Sequence, residues 1–344
     1  MPRRITLKDV AAQAGLSVSC TARALKGRPG FPQATYERVR LVAEKLGYRP
    51  DPMMAALSAY RQSQKPGHFQ GALAFLMTQN SERETLATPE AGDLLRGARM
   101  RAADLGYQLE YFNIGTTWKT QMQAARVLRA RGIHGLLIRS FPMPISALHF
   151  PFGQFIGIDL FSDPHVGAVP TISSYHAQSM QLVLDELAAR GYRHPVLAMA
   201  RGLNQYLRHG WWTAFLANAG RFEETSVLFD DDASMGAPQL TKWAEARKAD
   251  VFIYGTSENN IPRGLVSRAR RRSRIGVVSM DLLDPACGVA GIYQDRFKSG
   301  ALAVEWLQSM MITSRIGVPR EFGAMMIPGT WRAGDTLGLS QPLG

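Results

Sequence analysis

Apolar positions in the first fifty residues recur at helical spacing. Val10, Ala11 and Ala14 form one stripe behind a Thr6-x-x-Asp9 capping box, and Gly15 stands where a tight turn between two helices needs positive φ. Ser17 is placed to cap a second short helix whose outward groups, Ser19, Cys20 and Ala22 followed by Arg23, are slim enough to enter a DNA major groove. A third helix is predicted over 33–46, with Val39, Val42, Ala43 and Leu46 on one face and Gly47 as its stop. Residues 6–25 therefore read as a helix-turn-helix, with an ordinary helical hairpin as the alternative.

The pattern then breaks and restarts. Asp51 and Pro52 supply a good N-cap and first helical residue for a short helix over about 51–60. A helix of that length is marginal alone, so the reading has it fold when docked on DNA or on a symmetry mate. Polar residues 62–71 read as a linker. From Gly71 onward, apolar runs of strand length alternate with amphipathic stretches. Strands are predicted over 71–77, 107–113, 134–140 and 155–160, with helices over 92–106 and 120–132. A second set follows, with helices over 177–190, 208–218 and 239–248 and strands over 195–200, 226–230, 250–255 and 274–280. Such alternation predicts parallel sheets covered on both faces, and two of them in tandem bind a ligand between the carboxyl ends of their strands.

Charge sharpens this division. Residues 1–65 hold twelve Lys or Arg against four acids, so eight of the twelve excess positive charges sit in that segment, where a phosphate backbone would use them. Cys20 and Cys287 are too far apart in sequence and too few for a disulfide framework or a zinc site, which fits a reducing compartment. Arg3 and Arg4 are not followed by an apolar signal core, and no run approaches a membrane span, so a cytoplasmic location without membrane association is expected. No GxSxG, GxxxxGK[ST], HExxH or strand-following GxGxxG occurs, and the seven histidines are scattered. The expectation is no enzyme, no cofactor and no metal. The basic run at 268–274 reads as a solvated helix end, and the three acids at 230–232 as a turn.

In order along the chain, TLKDVAAQAGLSVSCTARAL, EKLGYRP, PDPMMAALSA, RAADLGYQLEYF, ARGIHGLLI, LDELAARGYRHPVLAMA, RHGWW and IYQDRFKSGALAVEWL resemble the bacterial lactose/galactose-repressor (LacI/GalR) family of transcriptional regulators. The resemblance implies a small all-α helix-turn-helix headpiece plus an α/β regulatory domain of two doubly wound parallel-sheet subdomains, similar to periplasmic binding proteins. It divides the chain into a DNA-binding domain at 1–49, a hinge helix and linker at 50–70, an N-terminal subdomain at 71–170 and 297–330, and a C-terminal subdomain at 171–296 and 331–344. It also implies a homodimer, or a tetramer, reading a near-palindromic operator and responding to a small polar effector such as a sugar. A small-molecule binding protein without a transcriptional role is the alternative.

Carried residue by residue, the resemblance places Val18, Ser19 and Arg23 in the major groove, Thr6, Ser17 and Thr21 on phosphates, and Leu57 in a central minor-groove step. In the cleft it points to Arg208 as a clamp for effector hydroxyls or carboxylates, and to Asp281 and Asp159 as hydroxyl acceptors at strand ends. Trp211, Thr78, Asn80 and Arg139 complete the candidate effector set. Departures are visible: Asp51 replaces the usual hinge Asn, and GTSENN at 255–260 stands where an Asn-Asp pair is common.

Overall fold

The structure is a computed structural model describing residues 5–25, 30–48, 71–78, 80–139, 149–160, 169–231, 234–271, 275–313 and 323–338. The expected hinge helix, Leu57 within it, and the linker lie outside the described residues. Three helices form the headpiece: α1 (Leu7–Ala14), α2 (Val18–Leu25) and α3 (Gln33–Lys45). The Thr6 amide donates to the Asp9 carboxylate at 2.8 Å, Gly15 ends α1 at φ 67°, and the Cys20 amide donates to Ser17 Oγ at 3.1 Å. Local chemistry thus sets both ends of the turn. Ala14, Ala24 and Val39 form the buried centre, with Leu16, Leu25, Phe31, Tyr36 and Val42 packed around them.

Beyond the headpiece, the described residues form two six-stranded sheets. The first contains β1 (Gly71–Met77), β2 (Tyr107–Asn113), β3 (Gly135–Arg139), β4 (Ile156–Leu160), β5 (Thr171–Ser174) and β11 (Ala324–Ile327), in the order β11-β5-β4-β3-β1-β2 and parallel throughout. The second contains β6 (Pro195–Met199), β7 (Ser226–Phe229), β8 (Val251–Tyr254), β9 (Gly276–Leu282), β10 (Ala290–Tyr293) and β12 (Thr330–Arg332), in the order β12-β10-β9-β8-β6-β7. Only β12 runs antiparallel there, against β10. Both sheets reverse direction of winding beside their first strand, between β1 and β3 and between β6 and β8, which opens a crevice at the carboxyl ends.

Both faces of each sheet are covered, which is why their central strands are apolar at consecutive positions. In β1, Leu73, Phe75 and Met77 enter one core while Ala74 and Leu76 enter another. In β8, Val251 and Ile253 face one side, and Phe252 and Tyr254 the other. Helix Pro89–Asp104 and helix Arg296–Thr313 pack closely on the first sheet. Gly97 lies against the backbone carbonyl of Phe297, and Gly300 against that of Leu94, with no room for a Cβ at either position.

Among the described residues the chain crosses between the sheets three times, and the crossings differ in detail from the sequence-based division. Thr171–Ser174 joins the first sheet by pairing with β4 and β11, so the first crossing follows Ser174 and not residue 170. Helix Arg296–Thr313 returns the chain to the first sheet, and β11 and β12 flank the last crossing at 328–329. The helix expected over 208–218 runs Gly210–Ala217, and a further helix, Arg201–Tyr206, precedes it; Arg208 and His209, at φ 49° and 61°, lie between the two.

Candidate functional site

Two surfaces combine residues with recognisable chemistry. On the headpiece, Ser17, Val18, Ser19 and Arg23 are exposed along α2, and Thr6 is exposed at the start of α1. Thr21 is not: its side chain is fully buried, and its hydroxyl donates to the Ser17 carbonyl at 3.0 Å. That corrects the expectation that Thr21 touches phosphate, since α2 turns this position toward α1 and α3. The Arg23 guanidinium lies over the Phe31 ring, 5.4 Å from its centroid.

The second surface is a cavity of about 230 Å³ where the carboxyl ends of both sheets converge. From the first sheet come Arg139 at the end of β3, Ser174 at the end of β5, and Glu90 from the first turn of helix Pro89–Asp104. The second subdomain supplies His176, Tyr206, Leu207 and Trp211 from three helices. Thr256, Ser257 and Asn260 follow β8, where Asn260 Nδ2 donates to the hydroxyls of Thr256 at 3.0 Å and Ser257 at 3.3 Å. Asp281 near the end of β9, and Gln294 and Arg296 at the second crossing, close the set.

Burial dominates the electrostatics here. Arg296 Nη2 reaches both carboxylate oxygens of Asp281, at 2.7 and 2.6 Å, with the side chains only 11% and 17% exposed. Burial pushes the Asp281 carboxyl up while Arg296 pulls it down. Burial likewise holds the Arg139 guanidinium below its ordinary value. His176 is lowered to about 4, by burial first and then by the Arg296 charge, so its imidazole is neutral at pH 7. It packs edge-on against Trp211, with ring centroids 5.3 Å apart. The Gln294 amide nitrogen donates to the Met280 carbonyl at 3.2 Å, which orients its oxygen the other way. Among the described residues, that oxygen and Trp211 Nε1 have no hydrogen-bond partner.

Of the seven effector residues expected from sequence, Arg139, Trp211 and Asp281 line this cavity. Thr78 is buried after β1, while Asn80 is exposed and offers its carbonyl to the Tyr111 hydroxyl at 2.6 Å. Asp159 is 1% exposed, within β4 beside Arg139's strand, and does not line the cavity. Arg208 stands apart from these. It is exposed on a neighbouring groove with Tyr175 and Met326, because the left-handed turn at 208–209 carries it past the cavity while Leu207 lines the wall. The cation at the crossing is Arg296, which sequence reasoning passed over. The signal was present: Arg296 stands in the IYQDRFKSGALAVEWL segment that carries the family resemblance.

Comparison with known proteins settles the family. The family model for bacterial regulatory proteins of the lacI family matches residues 6–51, and that for periplasmic binding proteins and the sugar binding domain of the LacI family matches residues 70–244. The chain belongs to the LacI family. Among similar LacI-type regulators is the HTH-type transcriptional regulator PtxS of Pseudomonas plecoglossicida, 26% identical over 330 residues that cover 92% of each chain. The sucrose operon repressor of Escherichia coli is 28% identical over 225 residues, 63% of this chain and 62% of that one. The crystal structure of the Lac repressor dimer bound to operator and an anti-inducer shares the fold, with a TM-score of 0.57 at 18% identity over 98% of this chain and all of that one. A CelR–cellobiose complex matches with a TM-score of 0.54 at 17% identity, over 97% and 100%. The protein is thus a LacI-family transcriptional regulator, with a helix-turn-helix domain and a periplasmic-binding-type regulatory domain. Among the described residues no His, Cys, Asp and Glu cluster could hold a metal ion, and no helix is long and apolar enough to cross a membrane.

Proposed function

We propose that this regulator binds a near-palindromic operator as a homodimer through α2, and that a compact polyhydroxylated molecule of sugar type, bound in the cavity between the two sheets, changes its DNA affinity. One observation carries the effector reading. Side chains from both subdomains and from the second crossing meet around about 230 Å³, below the roughly 300–1,000 Å³ typical of sites for drug-sized ligands. Its charges balance, Glu90 and Asp281 against Arg139 and Arg296, so donors and acceptors are both charged. Hydroxyls, which donate and accept at once, suit such a wall, and hydrogen bonds to charged groups are worth about 1.5–3 kcal/mol each. The aromatic faces of Tyr206 and Trp211 add apolar contact of the kind a sugar ring presents.

The headpiece reading is supported by the exposed row Ser17, Val18, Ser19 and Arg23, and by the positive charge concentrated in residues 1–65. The two parts are tested together. The operator is first obtained by selection from random DNA with the full-length protein, and its affinity is then titrated with monosaccharides, disaccharides and sugar acids. The expected result is a shift in operator affinity with a monosaccharide-sized compound, lost in Arg296→Met. No shift with any of these compounds, against a response to nucleobases or hydroxyl-free carboxylates titrated in parallel, would reject the effector class.

A further inference from the structure

We infer that Phe31 is a positioning residue for base reading: it holds the Arg23 guanidinium in one orientation at the end of the recognition helix. The inference rests on the proposed binding of operator through α2, with Arg23 reaching a base in the major groove. Arg23 stands four residues after Ser19 on α2, so the two share the exposed face of that helix. Its guanidinium carbon lies 5.4 Å from the centroid of Phe31, within the roughly 6 Å at which a cation is drawn to an aromatic face. The ring is itself held. Phe31 is half-buried against the headpiece core, and its ring meets Tyr36 edge-on, with centroids 5.9 Å apart and planes at 87°. Gly30 completes the support: its φ of 118° favours glycine, and a Cβ there would stand 3.4 Å from Arg23 Nη2.

Stacking engages the flat face of a guanidinium, whereas its hydrogen bonds leave along the edge in the fork that matches O6 and N7 of guanine. A ring fixed to the core therefore removes rotamer freedom from Arg23 before DNA arrives, and the gain falls on the one contact that needs a fixed fork. Phosphate contacts, which tolerate several geometries, gain little.

The test measures the full-length protein on its selected operator and on a set with each base pair replaced in turn, with non-specific DNA as reference. Arg23→Ala identifies the base pair that Arg23 reads, by a loss of discrimination there of roughly ten-fold or more. Phe31→Leu, which keeps an apolar group in the core, is expected to reduce discrimination at that same pair about three- to five-fold, with other positions and non-specific affinity unchanged. Phe31→Tyr, retaining an aromatic face, is expected to restore it. Proportional loss at every position, or no loss at the Arg23 pair, overturns the role of Phe31. If Arg23→Ala weakens all sequences equally and lowers the salt slope by about one, Arg23 is a phosphate contact, and the base-reading premise fails instead.

Discussion

Acidification should expose the cost of placing His176 in the cavity. Its imidazole is held at about 4 instead of 6.5, because burial opposes the charged form and Arg296 adds like-charge repulsion. Arg139, Glu90 and Asp281 line the same cavity, and the two carboxylates are not enough to reverse the shift. The folded value lies below the unfolded one, so the native state favours the neutral ring. The stabilisation is present above pH 6.5 and is lost as pH falls through 6.5 toward 4. At pH 5 the unfolded chain is almost fully protonated at this residue and the folded chain only about one-tenth. The loss between pH 7.5 and pH 5 is then about 2 kcal/mol, rising to about 3 kcal/mol below pH 4. Urea unfolding at the two pH values, followed by tryptophan fluorescence, compares wild type with His176→Gln. Contributions from the rest of the chain are common to both proteins and cancel in the difference. The variant should lose about 2 kcal/mol less on acidification; equal losses would refute the assignment of a buried neutral imidazole.

Three further outcomes follow from the same geometry. Arg296→Met strands a largely buried Asp281 carboxylate and should cost about 3 kcal/mol in urea unfolding, whereas Arg296→Met with Asp281→Leu should recover at least half, as a double-mutant cycle will show. Gly300→Ala drives a methyl into the Leu94 carbonyl and should lower stability by 1–3 kcal/mol or more, read as a fall in Tm of several degrees. Arg208→Ala, at an exposed side chain outside the cavity, should leave the effector titration of operator binding unchanged; a lost response would return Arg208 to the site.

Where local chemistry decides the structure, the residues could be read directly. The Thr6 and Asp9 pairing, the Gly15 turn and the Ser17 cap each involve residues within a few positions of one another. Strand β1 occupies its predicted span because it is an unbroken apolar run that opens at Gly71, and β2 because Gly106 and Gly115 bracket an aromatic-rich stretch of strand length. Thr171–Ser174 and Thr330–Arg332 gave no such signal. They are short and polar, and their extended form comes from neighbours distant in sequence: β4 and β11 for one, β10 for the other. The cavity failed for the same reason. His176 and Arg296 are brought to Arg139 by crossings between the sheets, whereas Arg208 was carried over from the family resemblance, which did not reveal the left-handed turn before Gly210. Thr21 was carried to phosphate by the resemblance, and the packing of α1 and α3 against α2 buries it instead.

The position of Arg296 bears on how a ligand could be sensed at all. It is the first residue of the helix that carries the chain back to the first sheet, and Asp295 before it adopts φ 26°, a conformation an L-residue rarely takes. Its carboxylate partner, Asp281, belongs to the second sheet, while Arg139 and Glu90 approach from the first. Any rotation of one subdomain against the other must therefore change distances among these four charges, in a setting where burial weakens solvent screening. A bound polyol that accepts from a guanidinium and donates to a carboxylate favours the arrangement in which both are within reach, and by that differential affinity alone it can shift the equilibrium. A coupling of 1–3 kcal/mol, five- to 150-fold in operator affinity, requires only one or two such charged hydrogen bonds to exist in one arrangement and not in the other. On the proposed reading, the Asp281 and Arg296 pair, rather than the aromatic walls of Tyr206 and Trp211, is the place where binding energy would be converted into a change of subdomain position.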